Sequence, residues 1–118
     1  MGKRVLIVDD TLFMRLKLKT LLEKWEYQVV GEGANGLEAV TKYTELRPDF
    51  VLMDITMPEM DGIEALKEIK KIDAKAVVIM VSAMGQERAV KEAILSGARS
   101  FVIKPFKDDK MQEVLSKL

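Results

Sequence analysis

Val5-Leu6-Ile7-Val8-Asp9-Asp10 is a short apolar run that stops on two acids, and the same pattern recurs down the chain. Val51-Leu52-Met53 stops on Asp54, Val77-Val78-Ile79-Met80-Val81 on Ser82, and Phe101-Val102-Ile103 on Lys104. Runs of this length, bounded and rich in Val and Ile, read as buried strands, and a helix-period segment follows each. Strands alternating with helices through right-handed crossovers give an α/β, doubly wound parallel sheet with helices on both faces. In such a sheet every strand's carboxyl end lies on one edge, where ligands bind. The topology therefore delivers three carboxylates, a hydroxyl and an ammonium to a single rim.

Five strand-then-helix units fit the chain. Strand 1 covers about 4–8, and helix 1 runs from about 12 to 25 with Met14, Leu18, Leu21, Leu22 and Trp25 on one stripe. Strand 2 is expected over about 27–30, and Asn35-Gly36 marks the turn before helix 2. Pro48 disfavours helical geometry at Arg47, which ends helix 2 ahead of strand 3 at 50–53. Asp61, with Glu64 three residues on, is a capping-box start for helix 3. Strand 4 follows at 77–81, helix 4 at about 86–96 with Gly97 as a left-handed terminator, and strand 5 at 101–103. Met111, Val114, Leu115 and Leu118 form the stripe of helix 5. No repeat, linker or low-complexity segment interrupts residues 1–118, which read as one domain.

Composition narrows the chemistry. Hydrophobic residues make up 48% and charged residues 32% of the 118, an ordinary globular balance. Lys plus Arg equals Asp plus Glu at 19 each, so no net field points to nucleic acid or an anionic membrane. With neither Cys nor His, thiol catalysis, Ser-His hydrolysis and Cys- or His-ligated metals are excluded. Apolar stretches fall well short of the roughly 20 residues that span a bilayer. Met-Gly-Lys-Arg leads straight into strand 1 without a cleavage site, so a cytoplasmic location is expected.

If Asp9, Asp10 and Asp54 lie within about 5–6 Å of one another, each like-charge pair costs roughly 3 kcal/mol and the three roughly 9 at an effective dielectric of 20. Lys104 offsets part of that cost, and a hard divalent cation such as Mg²⁺ on oxygen ligands would offset the rest. The alternative is that Asp10 or Thr11 simply caps helix 1. Asp54 is the candidate nucleophile, since carboxylates form aspartyl-phosphate intermediates. Ser82 would then donate to a phosphoryl oxygen and Lys104 would supply a cation. No glycine-rich phosphate loop is present, so nucleotide binding is not indicated.

Val5–Asp10, Met53-Asp54-Ile55-Thr56-Met57-Pro58-Glu59-Met60-Asp61-Gly62, Ser82-Ala83-Met84-Gly85 and Lys104-Pro105-Phe106 together resemble the receiver domain of two-component response regulators. The resemblance extends over essentially the whole chain and is narrowest to the single-domain, CheY-like chemotaxis regulators. It implies a flavodoxin-like sheet of order 2-1-3-4-5, an order taken from the family. It further implies a phospho-accepting switch, not an enzyme beyond its own phosphorylation and dephosphorylation. Asp54 would accept a phosphoryl group from a histidine kinase, and Asp9, Asp10, Asp54 and the Thr56 carbonyl would hold Mg²⁺. Ser82 and Lys104 would bind the phosphoryl oxygens, with Lys104 preceding a cis proline.

Phe101 matches the family's rotameric aromatic, although a plain strand-core aromatic fits the same position. Phosphorylation adds about −1.5 to −2 charge, which would draw Ser82 and Lys104 inward and remodel the helix 4–strand 5–helix 5 surface. The implied partners are a histidine kinase, the flagellar motor switch protein and a phosphatase, acting on a monomer without nucleic acid or membrane.

Four residues depart from what the family pattern or the helix stripe would give. Glu26 stands where Gly is common, Ala74 where Pro is frequent, and Leu12 and Leu16 lie off the helix 1 stripe, where exposure is expected. These departures leave open an engineered or divergent receiver-fold protein with altered partners. A dehalogenase-like Mg²⁺-dependent phosphatase would need its nucleophile on strand 1 in an Asp-x-Asp pattern, whereas Asp9 and Asp10 are adjacent. A flavin module would place phosphate against Asp9 and Asp10, which repel it. A receiver-shaped interaction module would not need all five rim groups.

Overall fold

The computed structural model describes residues 2–118. Five strands, β1 (Arg4–Val8), β2 (Gln28–Gly33), β3 (Phe50–Met53), β4 (Val78–Ser82) and β5 (Ser100–Ile103), form one parallel sheet in the order β2-β1-β3-β4-β5. Between and after them run α1 (Leu12–Lys24), α2 (Gly36–Leu46), α3 (Gly62–Ile72), α4 (Glu87–Leu95) and α5 (Asp108–Ser116). This is the doubly wound α/β architecture expected from the strand-end pattern, with the expected order.

Strand alternation divides the core into two layers. Leu6, Val8, Val51, Met53, Val78 and Met80 join residues of α2, α3 and α4 on one face. Val5, Ile7, Phe50, Leu52, Ile79, Val81 and Val102 meet Leu18, Leu21 and Leu22 of α1 and Met111 and Leu115 of α5 on the other. The three central strands are apolar on both faces because both faces are covered, which is why their sequences read as continuous runs.

The ends of the helices follow local chemistry. At α3, Asp61 accepts from the Glu64 amide and Glu64 answers the Asp61 amide, the reciprocal capping box expected there. Asn35 caps α2 by accepting from the Glu38 amide, and Arg47 ends that helix in the left-handed region at φ 46°. Gly97 takes φ 108° after α4. Glu26 adopts φ 69° after α1, while its neighbour Tyr27 donates to the Leu22 carbonyl. A non-glycine residue there gives up about 1 kcal/mol relative to glycine.

Three strands differ in their bounds from expectation, β5 only in starting one residue earlier, at Ser100. β2 extends to Gly33, three residues beyond the expected end, because its outer half (Gly31-Glu32-Gly33) carries no apolar run to announce it. It is the sheet's edge, where pairing to β1 alone extends the strand. β4 is displaced by one residue, so Ser82 is the strand's last member and pairs with Ile103. On the same edge, Lys42 donates to the Glu32 backbone carbonyl and Arg15 pairs with the Glu32 carboxylate at 3.1 Å. Leu12 and Leu16 are exposed as expected, and so is Phe13 between them.

Candidate functional site

Register carries the rim residues to one place. Val8 and Met53 are paired across β1 and β3, and the Asp54 amide donates to the Val8 carbonyl at 3.0 Å, so Asp9 and Asp54 leave adjacent strands side by side. Met53 pairs in turn with Met80, and the Lys104 amide donates to the Ser82 carbonyl at 2.9 Å, which ties the ends of β4 and β5 to the same edge.

Asp9, Asp10 and Asp54 each present a carboxylate oxygen, and these atoms all lie within 4.8 Å of one another. Asp9 and Asp54 are buried, whereas Asp10 faces solvent. Lys104 Nζ lies 2.6 Å from Asp9 Oδ2 and 3.1 Å from Asp54 Oδ2. Burial pushes the Lys104 ammonium toward losing its proton, but the hydrogen bond to Asp9 and the Asp54 charge outweigh it, so its pKa stands above the ordinary lysine value. The remaining Asp54 oxygen, Oδ1, accepts from the Ile55 amide at 2.7 Å.

The capping alternative for the two N-terminal acids does not describe this geometry. Thr11 occupies the N-cap of α1 without a side-chain cap bond, and Asp10 accepts only from the Thr11 hydroxyl, at 3.5 Å, among the described residues. Asp9 does anchor the turn, accepting the Thr11 amide on Oδ1 at 2.9 Å while its Oδ2 faces Lys104.

Ser82 is buried at the end of β4 and its Oγ accepts from the Met84 amide at 3.1 Å, which leaves its own O–H to donate elsewhere. Thr56 is exposed in the loop after β3, and its hydroxyl meets Met84 Sδ at 3.1 Å. Phe101 is half-buried and packs against the layer formed with α2, α3 and α4. The Lys104–Pro105 peptide bond is cis.

Several contributors carried no signal in the sequence. Arg15 donates to the Asp9 backbone carbonyl at 2.5 Å and bridges to Glu32, bracing the β1 end from α1. Gly62 lets α3 begin against the end of β3: a Cβ there would stand 1.9 Å from the Asp54 carbonyl oxygen, and its amide donates to the Ile55 carbonyl at 2.7 Å. An Asp-Gly pair after a strand is a common turn signal, so its packing role was not separable from turn chemistry.

The family model of the response regulator receiver domain matches residues 5–116. The chain is 58% identical to the chemotaxis protein CheY of Thermotoga maritima over 118 residues, covering 100% of this chain and 98% of that one. It is 56% identical to the CheY of Bacillus subtilis over 117 residues, covering 99% of this chain and 98% of that protein. Among solved structures, the complex of CheX, CheY, BeF₃ and Mg²⁺ from Borrelia burgdorferi superposes with a TM-score of 0.95 at 38% identity. That match covers 98% of this chain and 87% of the other.

Proposed function

The chain belongs to the response regulator receiver domain family, and from that premise we propose that it is a phospho-accepting switch of the chemotaxis type, phosphorylated on Asp54 by a histidine kinase. The observation that carries this reading is the meeting of three carboxylates within 4.8 Å of one another beside the Lys104 ammonium, at the ends of three different strands.

In this reading an Asp54 carboxylate oxygen forms the bond to phosphorus as the donor's own bond to phosphorus breaks and the leaving group departs with its electron pair. Lys104 neutralises charge on the incoming group, and the Ser82 hydroxyl donates to one of its oxygens. Asp9, Asp10, Asp54 and the Thr56 backbone carbonyl would hold Mg²⁺, and the donor set fits a hard cation because every ligand is oxygen. When bound there, Mg²⁺ supplies positive charge that lowers repulsion between the carboxylates and the phosphoryl oxygens. Water attack on the phosphorus later returns Asp54 to a free carboxylate, so the chemistry is self-limited and not that of a multiple-turnover enzyme.

Phosphorylation draws Ser82 and Lys104 toward the new oxygens and lets Phe101 turn inward, which alters the α4–β5–α5 surface. The proposed reader of that surface is the flagellar motor switch protein, with a phosphatase resetting the signal. The protein would act as a monomer in the cytoplasm, without nucleic acid. Among the described residues no helix is long and apolar enough to cross a membrane.

Intact-mass spectrometry after acetyl phosphate treatment tests the reading. One phosphoryl group is expected with Mg²⁺, none with EDTA and none in Asp54→Asn. Equal labelling of that variant would remove the assignment, and equal affinity for a motor-switch peptide with and without a phosphoryl mimic would remove the output.

A further inference from the structure

Seven methionines lie among the described residues, and six are buried or half-buried; Met84 alone is exposed, at 38%. Its position is also unusual. The thioether accepts the Thr56 hydroxyl at 3.1 Å, reaching from the loop after β4 to the loop after β3. Its amide donates to Ser82 Oγ at 3.1 Å. One residue thus touches both loops that border Asp54, above a groove of about 270 Å³ walled by Ile55, Met57 and Ala89 among others.

We propose that Met84 is an oxidative modification site that tunes how quickly Asp54 acquires a phosphoryl group, an inference that rests on the phosphoacceptor reading. The co-reactant is a two-electron oxidant of the peroxide class. A sulfur lone pair attacks one peroxide oxygen, the O–O bond breaks, and that oxygen stays on sulfur as the sulfoxide. The other oxygen leaves as water after proton transfer, so sulfur loses two electrons and the peroxide gains them.

A thioether is a weak hydrogen-bond acceptor, whereas the sulfoxide oxygen is a strong one. Because the Thr56 hydroxyl already points at Sδ, oxidation strengthens an existing bridge rather than creating a new contact. A firmer bridge holds the two loops together beside Asp54 and slows the approach of a phosphodonor. Reduction of the sulfoxide restores the weaker contact, so the effect is reversible.

The test treats the full chain with hydrogen peroxide, removes the excess with catalase, and follows two readouts. Peptide mass spectrometry is expected to show Met84 oxidised at least tenfold faster than Met53, Met80 or Met111. Labelling by acetyl phosphate and Mg²⁺ is expected to slow at least threefold, to recover after methionine sulfoxide reductase, and to be indifferent to peroxide in Met84→Leu. Unselective oxidation, an unchanged or faster labelling rate, or equal slowing in Met84→Leu would overturn the proposal. Should untreated protein fail to label at all, the phosphoacceptor reading falls and the tuning falls with it, while the peptide readout still reports whether Met84 is the selective target.

Discussion

Lys104 Nζ stands 2.6 Å from Asp9 Oδ2, closing a contact between residues 95 apart in sequence and joining the two ends of the fold at the rim. The ammonium sits nearer to Asp9 than to Asp54, at 3.1 Å, so it neutralises both buried carboxylates and leans toward the β1 side of the cluster. Under the proposed phosphorylation of Asp54, the lysine would need only a short movement between two partners already in reach.

Replacing this lysine exposes its structural share. Lys104→Met is expected to lower stability in EDTA by about 2–3 kcal/mol, because two buried carboxylates lose their cation. Urea denaturation with and without Mg²⁺ checks this, with the variant gaining more from the ion than the parent. Since the Lys104 pKa is raised in the folded state, its contribution is complete below the ordinary lysine value and is lost as pH climbs through the folded one.

Asp10 and Asp54 part company in the same assay. Asp10 is exposed and has no lysine partner among the described residues, so Asp10→Asn relieves repulsion and is expected to add about 0.5–1 kcal/mol in metal-free buffer. Asp54→Asn relieves the same repulsion but forfeits its contact with Lys104, so its gain is expected to be smaller. A lower melting temperature for Asp10→Asn in EDTA would count against the clustered geometry.

Gly62→Ala tests the coupling of packing to chemistry. The added Cβ meets the Asp54 carbonyl at 1.9 Å, a backbone clash with no flexible side chain to yield. A loss of about 3 kcal/mol is expected, near the upper end for overpacking. Acetyl phosphate labelling should slow even where denaturation shows the variant folded, since Asp54 itself is displaced.

A polar latch at the opposite end of the molecule has its own pH signature. The buried Tyr43 hydroxyl donates to Asp73 Oδ2 at 2.8 Å, with Arg47 3.8 Å from the same oxygen. Burial and the Asp73 partner push the phenol up to about 12, while the Tyr43 hydrogen bond holds the Asp73 carboxyl below its usual value. The raised phenol contributes stability that is present below pH 10 and is lost as pH rises toward about 12; the depressed carboxyl contributes stability present above the usual carboxylate range and lost as pH falls. Tyr43→Phe should therefore destabilise most at neutral pH, less in acid, and should remove the latest step from an absorbance titration of tyrosinate.

Much of this was legible because burial on both faces turns central strands into uninterrupted apolar runs, and each run ends on the residue that matters: Asp9, Asp54, Ser82 and Lys104. The Asp61–Glu64 box was equally plain, since its chemistry is local. Glu26 could be placed in a left-handed turn only by comparison with the family pattern, because glutamate carries no such preference. The far half of β2, the Arg15 brace, the Gly62 close approach and the Tyr43–Asp73 latch could not be read, since each depends on a partner brought near by the fold. Phe101 remained open between two roles for the same reason, and it lies half-buried against the layer formed with α2, α3 and α4.

The treatment of Glu32 has a consequence for the protein's behaviour at high concentration. Its backbone carbonyl, on the outermost strand, already accepts from Lys42, and its carboxylate is engaged by Arg15. A neighbouring molecule seeking to add its own strand along β2 would meet an occupied acceptor flanked by a lysine and an arginine. The border of the sheet is thereby blunted against strand-by-strand, amyloid-like stacking of one copy on the next.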